Sequence, residues 1–112
     1  MSSPRRRADP RRTAPVFAAL GDETRLGLVQ RLSGAGPLSI ARLTEGTDVT
    51  RQAVTKHLHI LEAAGLVHGA RAGRERVWEL APEPLAAARS YLDQIAAQWD
   101  EALGRLRAFV ED

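Results

Sequence analysis

Cysteine is absent from this chain, which excludes disulfides, thiolate metal sites, cysteine nucleophiles and thiol redox chemistry. No run of about 18 apolar residues occurs, and the opening MSSPRRRADPRR lacks the apolar stretch of a signal peptide, so neither a membrane span nor a secretion signal is supported. The expectation is a soluble, cytoplasmic protein without a membrane partner. Also missing are a Gly-rich phosphate loop, a nucleophile elbow and an HExxH motif. The adjacent acids Asp100 and Glu101 read as a solvated helix face, so the chain is expected not to be an enzyme and to need no cofactor.

The three histidines are poorly spaced for a metal. His57 and His59 are two residues apart and diverge by roughly 160° on a helix. His59 has Glu62 three residues on, which is half a site at best, and nothing places His68 beside them. No metal site is expected; His57 should edge the core or meet a phosphate, and His59 is the better placed for nucleic acid.

What is present suits one domain: 112 residues with 44% hydrophobic content. The charge is unevenly spread. Residues 1–12 carry five arginines against Asp9, and residues 50–76 carry Arg51, Lys56, Arg71, Arg74 and Arg76 against Glu62 and Glu75. Residues 77–112 reverse the balance, with seven acids against three arginines. A basic middle and an acidic tail suit a polyanion partner. Nucleic acid is favoured over a membrane surface, because no basic amphipathic helix with bulky apolar anchors is present.

Residues 1–12 are almost devoid of apolar side chains and are expected to form a disordered basic arm, with the folded domain spanning 13–112. Thr13 can cap a first helix ending at Gly21, with Val16, Phe17 and Leu20 on one face. Asp22 can cap a second, whose Leu26, Val29 and Leu32 recur at three-residue steps with Leu28 beside them. Ser39 opens a short third helix with Ile40 and Leu43 inward, closed by Gly46. After TDV, Thr50 can cap TRQAVTKHLHILEAAGLV, in which Val54, Leu58 and Leu61 form the buried stripe. A short helix, a tight turn and a longer helix make a helix-turn-helix. LVHGA and RVWEL around RAGRE read as a two-stranded hairpin, or wing. The expected fold is therefore mainly α with a small β-hairpin.

A last helix, about 83–110, carries Leu85, Ala88, Leu92, Ile95, Trp99, Ala102, Leu106 and Phe109 at alternating steps of three and four, a heptad seam suited to a second chain. Trp78 and Trp99 are expected to anchor the core and the interface.

In the fourth helix, Gln52, Thr55, Lys56 and His59 face away from the stripe and Arg51 lies at its edge. Such groups can read the major groove: Arg or Lys reads guanine, Gln adenine, and a Thr methyl can meet that of thymine. Arg71, Arg74 and Arg76 beside the wing turn can meet phosphates or enter the minor groove. Double-stranded DNA is the expected partner; the alternative is a winged-helix protein-interaction module without sequence-specific DNA binding.

FAALGDETRLGLVQRL (17–32), LTEGTDVTRQAVTKHLHILEAAGLV (43–67) and RAGRERVWEL (71–80) together resemble the ArsR/SmtB family of bacterial winged-helix repressors. The resemblance implies a winged helix-turn-helix that is a homodimer through the first and last helices and binds a palindromic operator. It implies recognition-helix contacts by Arg51, Gln52, Thr55, Lys56 and His59, wing contacts by Arg71 and Arg74, and a dimer interface including Leu85, Leu92, Ile95, Trp99, Leu106 and Phe109. The metal-sensing members' cysteine site would fall around Ile40 to Leu43, where no thiol exists, and their last-helix site needs histidines that residues 84–112 lack. A thiophilic metal is therefore not the expected inducer; an unidentified organic molecule, a protein, or no effector remain.

Overall fold

The computed structural model describes residues 9–111, which form five helices and a three-stranded antiparallel sheet: α1 (Pro10–Leu20), α2 (Glu23–Ala35), β1 (Leu38–Ser39), α3 (Ile40–Thr44), α4 (Arg51–Ala63), β2 (Val67–Ala72), β3 (Glu75–Leu80) and α5 (Pro82–Glu111). None of these helices is long and apolar enough to cross a membrane.

The first helix starts earlier than its sequence suggests. Asp9, not Thr13, is the cap: its carboxylate accepts the Arg11 backbone N–H at 3.0 Å, and Pro10 occupies the first turn, where a missing N–H costs nothing. Thr13 lies one turn inside and buried, its hydroxyl donating to the Asp9 carbonyl at 2.9 Å. Residues 9–12 thus belong to the fold, and the rest of the expected arm, 1–8, lies outside the described residues.

In α2 the buried stripe is Leu28, Val29 and Leu32, while Leu26 is 52% exposed, contrary to the three-step reading. At 100° per residue Leu26 falls more than a quarter-turn from that stripe, and Arg25 falls within it. Arg31 uses its fork on α3, donating from Nη1 to the Leu43 carbonyl at 2.6 Å and from Nη2 to that of Arg42 at 2.7 Å. These are last-turn carbonyls with no partner inside so short a helix.

The sheet has a strand more than the expected hairpin. Its order is β1-β3-β2, and Leu38 and Ser39 pair with Trp78 and Val77. Two residues are too few for a period of two to show in the sequence.

Val54, Leu58 and Leu61 of α4 are all but inaccessible and meet Leu43, Leu66, Val67 and Trp78 in the core. The end of α4 is fixed by Gly65 at φ +77°, with Gly65 N–H donating to Glu62 and Leu66 N–H to the Leu61 carbonyl, both at 2.9 Å. That pair of bonds is a Schellman closure, and Leu61 and Leu66, the positions whose side chains commonly meet in one, are both fully buried in the core cluster.

α5 runs one residue beyond each expected end and continues through Gly104. Its first turns belong to this domain: Ala88 is buried, Leu85 packs on the core, and Tyr91 meets Phe17 of α1 edge-on at 6.2 Å. Leu85, expected at the dimer seam, is therefore engaged within its own chain. From Leu92 onward the helix leaves the core.

Because Leu58 is fully buried at the centre of the cluster, Leu58→Ala should cost about 3 kcal/mol of stability by urea denaturation. A loss below about 1 kcal/mol would contradict its place at the centre of the core.

Candidate nucleic-acid interface

Thr50 starts α4 by accepting the Ala53 N–H on its hydroxyl at 3.1 Å. With the apolar stripe buried, the period of the helix sends Arg51, Gln52, Lys56 and His59 outward, and all four are exposed. Among the described residues, the Arg51, Gln52 and Lys56 side chains make no hydrogen bond or ion pair. Thr55 is half-buried, and its hydroxyl donates to the Arg51 carbonyl at 2.8 Å, which leaves its methyl and the accepting side of its oxygen to meet a partner. His59 lies 3.5 Å from Glu62 and edge-on to the Trp78 ring at 5.8 Å, on the side of α4 nearest the wing.

The wing places Arg71 at the end of β2 and Arg74 in the turn, both exposed. Gly73 at φ +65° makes that turn possible. Helix and hairpin thus offer cationic groups from two adjoining elements, joined through the buried ring of Trp78.

The three histidines do not converge. His68 pairs across the strands with Glu79 at 2.7 Å, while His57 faces α2. Among the described residues no group of three or more His, Asp or Glu side chains could hold a metal ion.

His57 edges the core, as one of its two expected placements had it. Arg25 reaches it from α2: Nε donates to the Ala19 carbonyl at 2.6 Å, and Nη1 lies 3.2 Å from His57 Nδ1. A guanidinium has no acceptor, so the second bond requires an unprotonated Nδ1. Asp22 completes the group at 3.9 Å from the same nitrogen. The last turn of α1, the start of α2 and the middle of α4 are thereby tied together. Sequence reasoning missed Arg25 as the residue that orients α4; its position inside the buried stripe of α2 was the available signal.

The chain's likeness to known proteins agrees with this geometry. A family profile described as a helix-turn-helix domain matches residues 20–70. The chain is 44% identical to an HTH-type transcriptional regulator of Mycobacterium tuberculosis over 88 residues, 79% of this chain and 78% of that one. It is 33% identical to the arsenical resistance operon repressor of Escherichia coli over 79 residues, 70% of this chain and 68% of that one. Among solved structures, an ArsR-like transcriptional regulator from a Rhodococcus species aligns with a TM-score of 0.75 at 36% identity, covering 88% of this chain and 92% of that one.

The backbone N–H of Arg25 donates to Asp22 and, with the nearby charge of Arg25, holds the Asp22 carboxyl below its ordinary value of 3.8, against a smaller opposing effect of desolvation. With the folded-state pKa the lower one, the unfolded chain takes up the proton first; this contribution is present above pH 3.8 and is lost as pH falls through the folded value. Urea unfolding followed from about pH 6 to about pH 3 should therefore show a shallower acid loss in Asp22→Asn than in the wild type. Identical pH slopes would contradict the role given to this cap.

Proposed function

The chain belongs to the ArsR family of winged helix-turn-helix transcriptional regulators, and from that premise we propose that it acts as a homodimeric repressor on a palindromic operator. The observation that carries the reading is the outward face of α4, where Arg51, Gln52 and Lys56 are exposed without internal partners next to a wing bearing Arg71 and Arg74. Placed in the major groove, Arg51, Gln52, Thr55, Lys56 and His59 would read base edges, while Arg71 and Arg74 meet the backbone or the minor groove. Phosphate contacts would supply most of the affinity, so binding would weaken steeply with salt. The domain is taken to be the described α1 to α5 unit, with α5 as its dimerisation helix.

The dimer is supported by the distal part of α5. Leu92, Ile95, Trp99, Leu106 and Phe109 of the heptad seam, with Leu103 widening it, are exposed in the single chain, Phe109 at 81%. A stripe of this size is rarely left in water and is suited to a second copy. At about 1.5 Å per residue its 30 residues span roughly 45 Å, more than one small domain needs. Pairing these helices, with α1 alongside, would set two copies of α4 on one side of the assembly, at a spacing that a two-fold symmetric operator can match.

Two outcomes are expected. Arg51→Ala and Gln52→Ala should keep the fold but narrow the affinity gap between operator and random duplex in a gel-shift titration, by about 1–3 kcal/mol for a lost bidentate base contact. An unchanged gap in both variants would remove them from base recognition. Separately, Trp99→Asp combined with Leu106→Asp should convert a species of twice the chain mass into a monomer by sedimentation velocity. A double variant that still sediments as a dimer would place the interface elsewhere.

A further inference from the structure

Arg76 stands apart from the other wing arginines because its position is built. The β2–β3 register sets Gly69 opposite Trp78 and Arg71 opposite Arg76. With a period of two, all four lie on one face of the hairpin. On that face the Arg76 guanidinium carbon sits 4.7 Å from the centroid of the Trp78 ring. A Cβ added to Gly69 would come within 2.8 Å of Arg76 Nε and 2.9 Å of Nη2, so the guanidinium crosses β2 directly over this glycine. Gly69 is not among the glycines at positive φ, so its backbone does not demand glycine; what a Cβ there would displace is the Arg76 guanidinium.

Two further details fit the same purpose. Trp78 Nε1 is buried with no hydrogen-bond partner among the described residues, a penalty that an apolar ring would avoid. The indole face, however, is the best aromatic surface for a guanidinium. Arg71 and Arg76 are like charges placed directly opposite one another, which is unfavourable by itself. The neighbouring acids do not relieve it: Glu75 and Glu79 fall on the other face of β3, and Glu79 is paired with His68. Together with Arg74 the two arginines line an open cleft of about 350 Å³.

We propose that Arg76 is a third wing contact to DNA, a phosphate clamp preset by its seat over Trp78, and that Gly69 is the gap through which it reaches that ring. Seated over the ring, the guanidinium keeps N–H donors for a phosphodiester. Trp78 also meets His59 of α4 in a T-shaped contact, so one buried ring mounts groups from both the recognition helix and the wing. The phosphate gripped is one on the strand running between the groove read by α4 and the groove met by the wing. This inference rests on the DNA-binding reading of α4 and the wing.

The test uses a random-sequence duplex of about 30 base pairs, since a phosphate contact does not depend on sequence. Fluorescence anisotropy titrations at several salt concentrations would compare the wild type with Arg76→Ala, Gly69→Ala and Arg76→Lys. Arg76→Ala should flatten the salt dependence by about one unit of log K per log salt for each protomer. Gly69→Ala, which keeps every charge, should weaken binding several-fold by displacing the guanidinium. Arg76→Lys, which keeps the charge without the planar fork, should fall between wild type and Arg76→Ala. An unchanged salt slope in Arg76→Ala overturns the contact. Wild-type affinity in Arg76→Lys overturns the preset geometry, whether or not Gly69→Ala folds. A wild type that binds no duplex would instead overturn the DNA-binding reading beneath it.

Discussion

Burying Val54, Leu58 and Leu61 along one side of α4 removes the helix's freedom to roll about its axis, and most of what the molecule offers a partner follows from that restriction. A fully buried aliphatic side chain is worth about 1.5–3 kcal/mol, so exchanging these three for Arg51, Gln52 and Lys56 at the core would forfeit about 5–9 kcal/mol of burial, comparable with a small domain's whole stability. Arg51, Gln52 and Lys56 are therefore held outward with no hydrogen bond or ion pair of their own among the described residues. The ends of the helix are held as firmly, by the Thr50 cap and by the Gly65 closure onto Leu66. Arg25 adds a third restraint by joining His57 to the last turn of α1.

Trp78 extends this order into the wing. It packs with the α4 stripe, meets His59 in a T-shaped contact and bears Arg76 over its face. Recognition helix and hairpin are thus not independent appendages but parts mounted on a shared ring. Movement of the core under Trp78 would be felt by both.

The sequence made α4 readable because its signals agree: a capping threonine, a 3.6-residue stripe and a closing glycine all point to the same helix. α5 was readable for the same reason, through its alternation of threes and fours. Where a single signal stood alone, it misled. Thr13 has the side chain of a cap, but Asp9 followed by Pro10 makes the better one, and Leu26 lies in a leucine-rich run yet points away from the core. The roles of the arginines were the least legible. Arg25 and Arg31 spend their donors on carbonyls inside the domain, while Arg51 and Arg71 make no such bonds among the described residues; in composition they are alike, and only tertiary placement separates them. Gly69 was invisible for a related reason: its meaning lies in the residue that crosses it from the neighbouring strand.

The central claim is that α5 pairs two copies of this domain so that two α4 helices meet DNA on one side. Hydroxyl-radical footprinting of DNA from upstream of the gene tests it most directly. Two protected patches related by two-fold symmetry, with centres about one helical turn or a small multiple of it apart, are expected. A single patch without symmetry, on DNA that the protein binds specifically, would contradict it.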